Sequence, residues 1–97
     1  MDRWTVYLLR CADGSLYAGI TRELTARVAA HNAGRGAKYT RARLPVTVAW
    51  SKGRQPASDA RRLEYAVKQL TRAEKLRLVA GDDALWRRMR RETLQRG

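Results

Sequence analysis

Near the start of the chain, Trp4-Thr5-Val6-Tyr7-Leu8-Leu9-Arg10-Cys11 forms an aromatic, β-branched and aliphatic run that constrains the fold more than any other segment. Such a run reads as a strand. Asp13-Gly14 follows as a hairpin turn signal, and Ser15 to Ile20 reads as the returning strand. The loop length then decides which side chains meet. With a three-residue loop, Ala12 to Gly14, Cys11 pairs with Ser15, Leu9 with Tyr17 and Tyr7 with Gly19. Tyr7 and Tyr17 then share a face. A two-residue loop would place them on opposite faces, because side chains alternate along a strand.

Beyond the hairpin, Thr21 is an expected N-cap for a helix that carries Leu24, Arg27, Val28 and His31 at helical spacing. Arg27 and His31 lie one turn apart and share a face. Gly34 and Gly36 end this helix and open a basic loop, Arg35 to Arg43. Pro45 leads into Val46-Thr47-Val48-Ala49-Trp50, whose alternation predicts a third strand, and Lys52 to Pro56 reads as a turn. Ser58 is the expected cap of a helix with Ala60, Leu63, Val67 and Leu70 on its buried stripe and Glu64 beside it. Thr71-Arg72-Ala73-Glu74 has the form of a capping box for a helix running through Val79. Gly81 breaks that helix. Asp82 or Asp83 then caps a last one, in which Leu85, Trp86 and Met89 pack while Arg87, Arg88, Arg90 and Arg91 face outward.

The order β-β-α-β-α-α-α describes an α+β fold, a small three-stranded antiparallel sheet flanked by helices. Its 97 residues suit a single domain, with a core over about residues 4–79 and a basic C-terminal helix over about 82–96. Phe is absent, so Trp, Tyr, Leu, Val and Ala fill the core.

Charge then bounds the partner. Twenty-one Lys and Arg against nine Asp and Glu give a formal net charge of +12, a self-repulsion that a polyanion relieves. A solvated surface or a ribosome-associated chain is the blander reading of the same charge. The single cysteine, Cys11, cannot form an internal disulfide, and one Cys with one His cannot make a structural zinc site. No apolar stretch reaches membrane-spanning length and no signal-peptide pattern opens the chain, so a cytoplasmic protein is expected.

In order along the chain, Thr5-Val6-Tyr7, Tyr17-Ala18-Gly19, Arg27, His31 and Glu64 resemble the GIY-YIG endonuclease superfamily. The first triplet keeps only its tyrosine; the second keeps both outer residues. Gly36-Ala37-Lys38-Tyr39-Thr40-Arg41 is similar to the small stand-alone bacterial members, and the likeness covers about residues 4–79. By that resemblance Tyr7 is the general base toward water, and Tyr17 shares its site. Arg27 binds the scissile phosphate and stabilises charge in the transition state, and His31 orients water, assists Tyr7 or contacts phosphate. Glu64 holds a single Mg²⁺ or Mn²⁺, weakly without substrate. Many family nucleases carry a further polar residue, often Asn, in a later element, whereas the only asparagine here is Asn32.

Gly19 is expected to allow a close approach of substrate or of a neighbouring side chain. Arg35, Lys38, Tyr39, Arg41 and Arg43 are expected to line the nucleic-acid surface, with Tyr39 or Trp50 available to stack on a base, although Trp50, placed in a strand, is expected to pack in the core instead. The resemblance therefore implies a metal-dependent DNA endonuclease, structure-selective or weakly sequence-specific, in DNA repair, recombination or processing. Its substrate would be DNA rather than RNA, with a protein partner to supply targeting. The competing expectation is a non-catalytic DNA- or RNA-binding module that retains the nuclease fold.

Overall fold

A computed structural model describes residues 3–95. Strand β1 (Trp4–Arg10) turns into β2 (Leu16–Thr21), followed by helix α1 (Leu24–Asn32), a single helical turn α2 (Lys38–Arg41) and strand β3 (Thr47–Gln55). Three helices complete the chain: α3 (Ala57–Gln69), α4 (Arg72–Val79) and α5 (Asp83–Gln95). The sheet is antiparallel in the order β2-β1-β3, so the most apolar strand lies in the middle.

The hairpin loop is the odd-length one. Cys11 N–H donates to Ser15 O and Gly14 N–H donates to Cys11 O, each at 2.9 Å, and Gly14 takes φ +84°. The register follows: Leu9 pairs with Tyr17 and Tyr7 with Gly19. Asp13 stiffens the turn by accepting from the Ser15 N–H at 3.0 Å.

Because β1 is central, both of its faces are covered. Val6 and Leu8, with Ala18, pack against Ala60, Leu63 and Val67 of α3, Leu78 of α4, and Leu85, Trp86 and Met89 of α5. Tyr7, Leu9 and Cys11 face the other way, toward Val46, Tyr17 and the Leu24 and Val28 side chains of α1. A fully buried aliphatic side chain contributes about 1.5–3 kcal/mol. Consecutive residues Val6 to Leu9, each at most 1% exposed, therefore anchor both layers.

Several local expectations need correction. Thr21 does not cap α1. It is still paired with Thr5 in the sheet, and its hydroxyl accepts from Glu23 N–H at 3.1 Å, making a turn ahead of the helix. Ser58 lies inside α3, whose N-cap position is taken by Pro56 with no side-chain cap. Lys52 to Pro56 is not a turn, since β3 runs on to Gln55. Its glycine and polar residues fall at a register shift between the Trp4–Gln55 and Val6–Lys52 pairs, where Arg54 takes φ +61°. Composition that reads as a turn can equally mark a bulge. The short helix α2 inside the basic loop had no periodic signal.

Further along, the capping box at Thr71 and Glu74 is present in both directions, and Asp82 rather than Asp83 caps α5 by accepting from Leu85 N–H at 3.0 Å. Arg90 is not a free outward cation. It donates to Gln55 Oε1 at 3.1 Å and lies 3.7 Å from Asp59, which ties α5 to the end of β3 and to α3.

Asn32 proves to be structural. Its amide donates to Val46 O at 3.0 Å and its carbonyl accepts from Val46 N–H at 2.7 Å, so one side chain acts as a strand partner for buried Val46. Asn32→Ala leaves both backbone groups unpaired, and a urea unfolding curve should show about 2–4 kcal/mol less stability.

Candidate active site

Tyr7 reaches its position only because position 19 lacks a side chain. A Cβ built on Gly19 would run into the Tyr7 hydroxyl and ring, so the phenol lies directly over the backbone of β2, the edge strand. The expected close approach at Gly19 is thus made by a neighbouring side chain. Although it comes from the central strand, Tyr7 carries its hydroxyl across β2 at the sheet edge.

Around that hydroxyl lie groups from three further elements. Arg27 of α1 is the nearest cation, and Tyr17 of β2 and Glu64 of α3 are close enough to act on the phenol through their charge. Burial holds the Tyr7 pKa above its ordinary 10.0, with the Arg27 guanidinium pulling it down and Tyr17 and Glu64 pushing it up. Tyr7 is therefore a neutral phenol in the free protein at neutral pH. His31 is fully buried, its ring meeting the edge of Tyr17 with centroids 5.6 Å apart at 64°. Burial, and then the positive charge of Arg27, holds its pKa below 6.5.

Glu64 is half-buried and already has a partner, Lys68 Nζ at 3.6 Å, one turn along α3. Among the described residues no three His, Cys, Asp or Glu side chains gather around a common point that could hold an ion. The donor set is one carboxylate beside phenolic oxygens. That set suits a hard divalent cation whose remaining ligands are water and substrate oxygens.

The basic loop is divided in its employment. Arg35, Lys38 and Arg41 are exposed and have no ion pair among the described residues. Arg43 is engaged: its guanidinium binds Asp13 Oδ2 at 3.1 Å, donates to Tyr39 O at 2.8 Å and covers the Tyr39 ring at 3.9 Å. It thereby straps the loop to the β1–β2 turn, and its charge is largely spent on Asp13. Tyr39 stacks on Tyr17, with centroids 5.9 Å apart and planes 19° from parallel. Trp50 is partly buried and packs against the core, edge-on to Trp86 at 5.2 Å, as expected for a strand residue.

Two tyrosines, an arginine and a carboxylate thus lie near one another, with buried His31 against Tyr17 and exposed cations on the adjoining loop. The profile of the GIY-YIG catalytic domain matches residues 3–77, and the chain belongs to the GIY-YIG family. Within it, the chain is similar to UPF0213 proteins. Those of Staphylococcus aureus strains Mu3 and Mu50 are 46% identical over 79 residues, which is 81% of this chain and 96% of theirs. A UPF0213 protein of Bacillus halodurans, solved by solution NMR, is 42% identical with a TM-score of 0.52, over 79% of this chain and 82% of that one.

Two consequences are measurable. Gly19→Ala should cost about 1–3 kcal/mol through overpacking against Tyr7. Most of that cost should vanish in a Tyr7→Leu background; a double-mutant cycle that gives simple additivity would contradict the contact. His31 titrates below 6.5 in the folded protein, so the unfolded chain takes up the proton first. Its contribution to stability is full above that value and declines as pH falls through it. The melting temperature should drop between pH 7 and 5.5, less so in His31→Gln.

Proposed function

We propose that this protein is a metal-dependent DNA endonuclease that hydrolyses phosphodiester bonds, selecting DNA structure more than base sequence. The observation that carries the reading is the convergence of Tyr7, Tyr17, Arg27 and Glu64 from four elements on one sheet edge. Core packing alone gives no reason to gather these polar groups. Arg27 receives the scissile phosphate and opposes the charge that grows on it. Tyr7, once its phenolic proton has passed to solvent, takes the proton of the attacking water. Burial keeps the phenolate scarce in the free protein, and Arg27 is the group in reach that favours it. Glu64 would hold the divalent cation, exchanging Lys68 for it; when bound, that ion supplies Lewis-acid polarisation of the phosphodiester.

Arg35, Lys38 and Arg41 would follow the phosphate backbone, with affinity falling as salt rises. They carry no side-chain pattern that reads bases, which is why selection by structure is preferred, with repair, recombination or DNA processing as the setting. Among the described residues no helix is long and apolar enough to cross a membrane. A cytoplasmic location and a protein partner that supplies targeting fit this role.

The Glu64–Lys68 pair and the neutral Tyr7 favour a second reading, a nucleic-acid-binding module that does not cut. A nicking assay at low salt separates the two. Single-stranded, duplex, flap and branched DNA, together with structured RNA, would be incubated with Mg²⁺, Mn²⁺ or EDTA. Cutting should need the metal and disappear in Glu64→Ala and Arg27→Ala, both of which should melt within about 1 kcal/mol of the wild type, as for partly exposed residues. Binding without cutting by the wild type on every substrate would select the module instead.

A further inference from the structure

Thr40 is the one polar residue of α2 that is fully buried, and it sits against His31. Its Oγ1 lies 2.9 Å from the Ala37 carbonyl oxygen and 2.8 Å from His31 Nδ1. A hydroxyl has a single hydrogen, and a carbonyl can only accept. The Thr40 hydrogen therefore goes to Ala37, and only a lone pair remains for the imidazole. Nδ1 must then carry the ring proton, which leaves Nε2 of the neutral ring as a bare acceptor. That Nε2 is buried and has no partner among the described residues.

An acceptor desolvated in this way is a cost to the fold. The surrounding loop is shaped to hold the ring rather than to satisfy it. A Cβ on Gly36 would strike Nδ1 and Cγ of His31, so the loop can close over the imidazole only with glycine there. Tyr39, adjacent to Thr40, stacks on Tyr17, which in turn meets the His31 ring.

We propose that Thr40 is a positioning residue: through the Ala37–Thr40–His31 relay it fixes the Nδ1–H tautomer and so keeps Nε2 of the site histidine an unprotonated acceptor. Its role in cutting rests on the nuclease reading; the tautomer does not.

Because His31 is the single histidine of the chain, one set of imidazole signals reports it. A long-range ¹H–¹⁵N correlation spectrum of the full, ligand-free protein at pH 7.5–8 should show a protonated Nδ1 and an unprotonated Nε2. Thr40→Val should move the population toward Nε2–H, and Thr40→Ser should restore the wild-type pattern. A wild-type spectrum with Nε2–H, or an unchanged tautomer in Thr40→Val, would overturn the proposal. The wild-type spectrum decides the tautomer even if Thr40→Val does not fold.

In the nicking assay Thr40→Val should lose about ten- to hundred-fold in kcat with little change in KM, the usual scale for removing a group that orients a site residue, and Thr40→Ser should recover most of it. Full activity in a folded Thr40→Val would equally overturn the positioning role. Absence of cutting by the wild type would instead defeat the nuclease reading and leave the spectrum to stand on its own.

Discussion

The contact between the Tyr7 phenol and the bare backbone of Gly19 is the constraint on which the site depends. It exists because the β1–β2 loop has three residues, which places Tyr7 opposite Gly19 and Leu9 opposite Tyr17. A shift of one residue would send Tyr7 into the layer filled by α3 and α5, and Val6 or Leu8 would replace it at the edge. The same register gives β1 its two apolar faces, so the packing that stabilises the sheet also prevents that shift. Site and core are coupled through one strand.

Helix α1 and the loop after it form the second half of the site, and here polar groups do the structural work. Asn32 pairs with the backbone of Val46, and Arg43 joins Asp13 to Tyr39. Thr40 holds His31 from within the loop. These bonds close a glycine-containing segment that has few apolar residues of its own. They also change the meaning of its charge: Arg43 serves the fold, while Arg35, Lys38 and Arg41 remain open to a polyanion.

Burial and the Arg27 charge oppose one another at Tyr7 and act together at His31. Desolvation favours the neutral phenol of Tyr7 and the neutral imidazole of His31, and Arg27 pulls both groups toward losing a proton. The site thus holds a buried aromatic pair in neutral form beside one fixed cation, with Glu64 restrained by Lys68 at the rim. Such an arrangement is compact without nucleic acid and gathers little negative charge before a phosphate arrives.

The sequence by itself determined the hairpin, the capped helices after residue 70 and the layered α+β plan, while the loop length, and with it the face of each tyrosine, was chosen only by the family resemblance. The first three features follow from periodicity, turn chemistry and capping, all of which act between residues near in sequence. Arg27 and His31 on one face of α1 were legible for the same reason. Tertiary structure alone decided the extension of β3 to Gln55, because partners on β1 turned an apparent turn into a bulge. It alone made Asn32 and Arg43 structural and brought Thr40 under His31. A hydroxyl, an amide or a guanidinium has no periodicity that marks its partner. Its role is fixed only when folding brings a distant group within hydrogen-bond reach and removes the water that would otherwise have served.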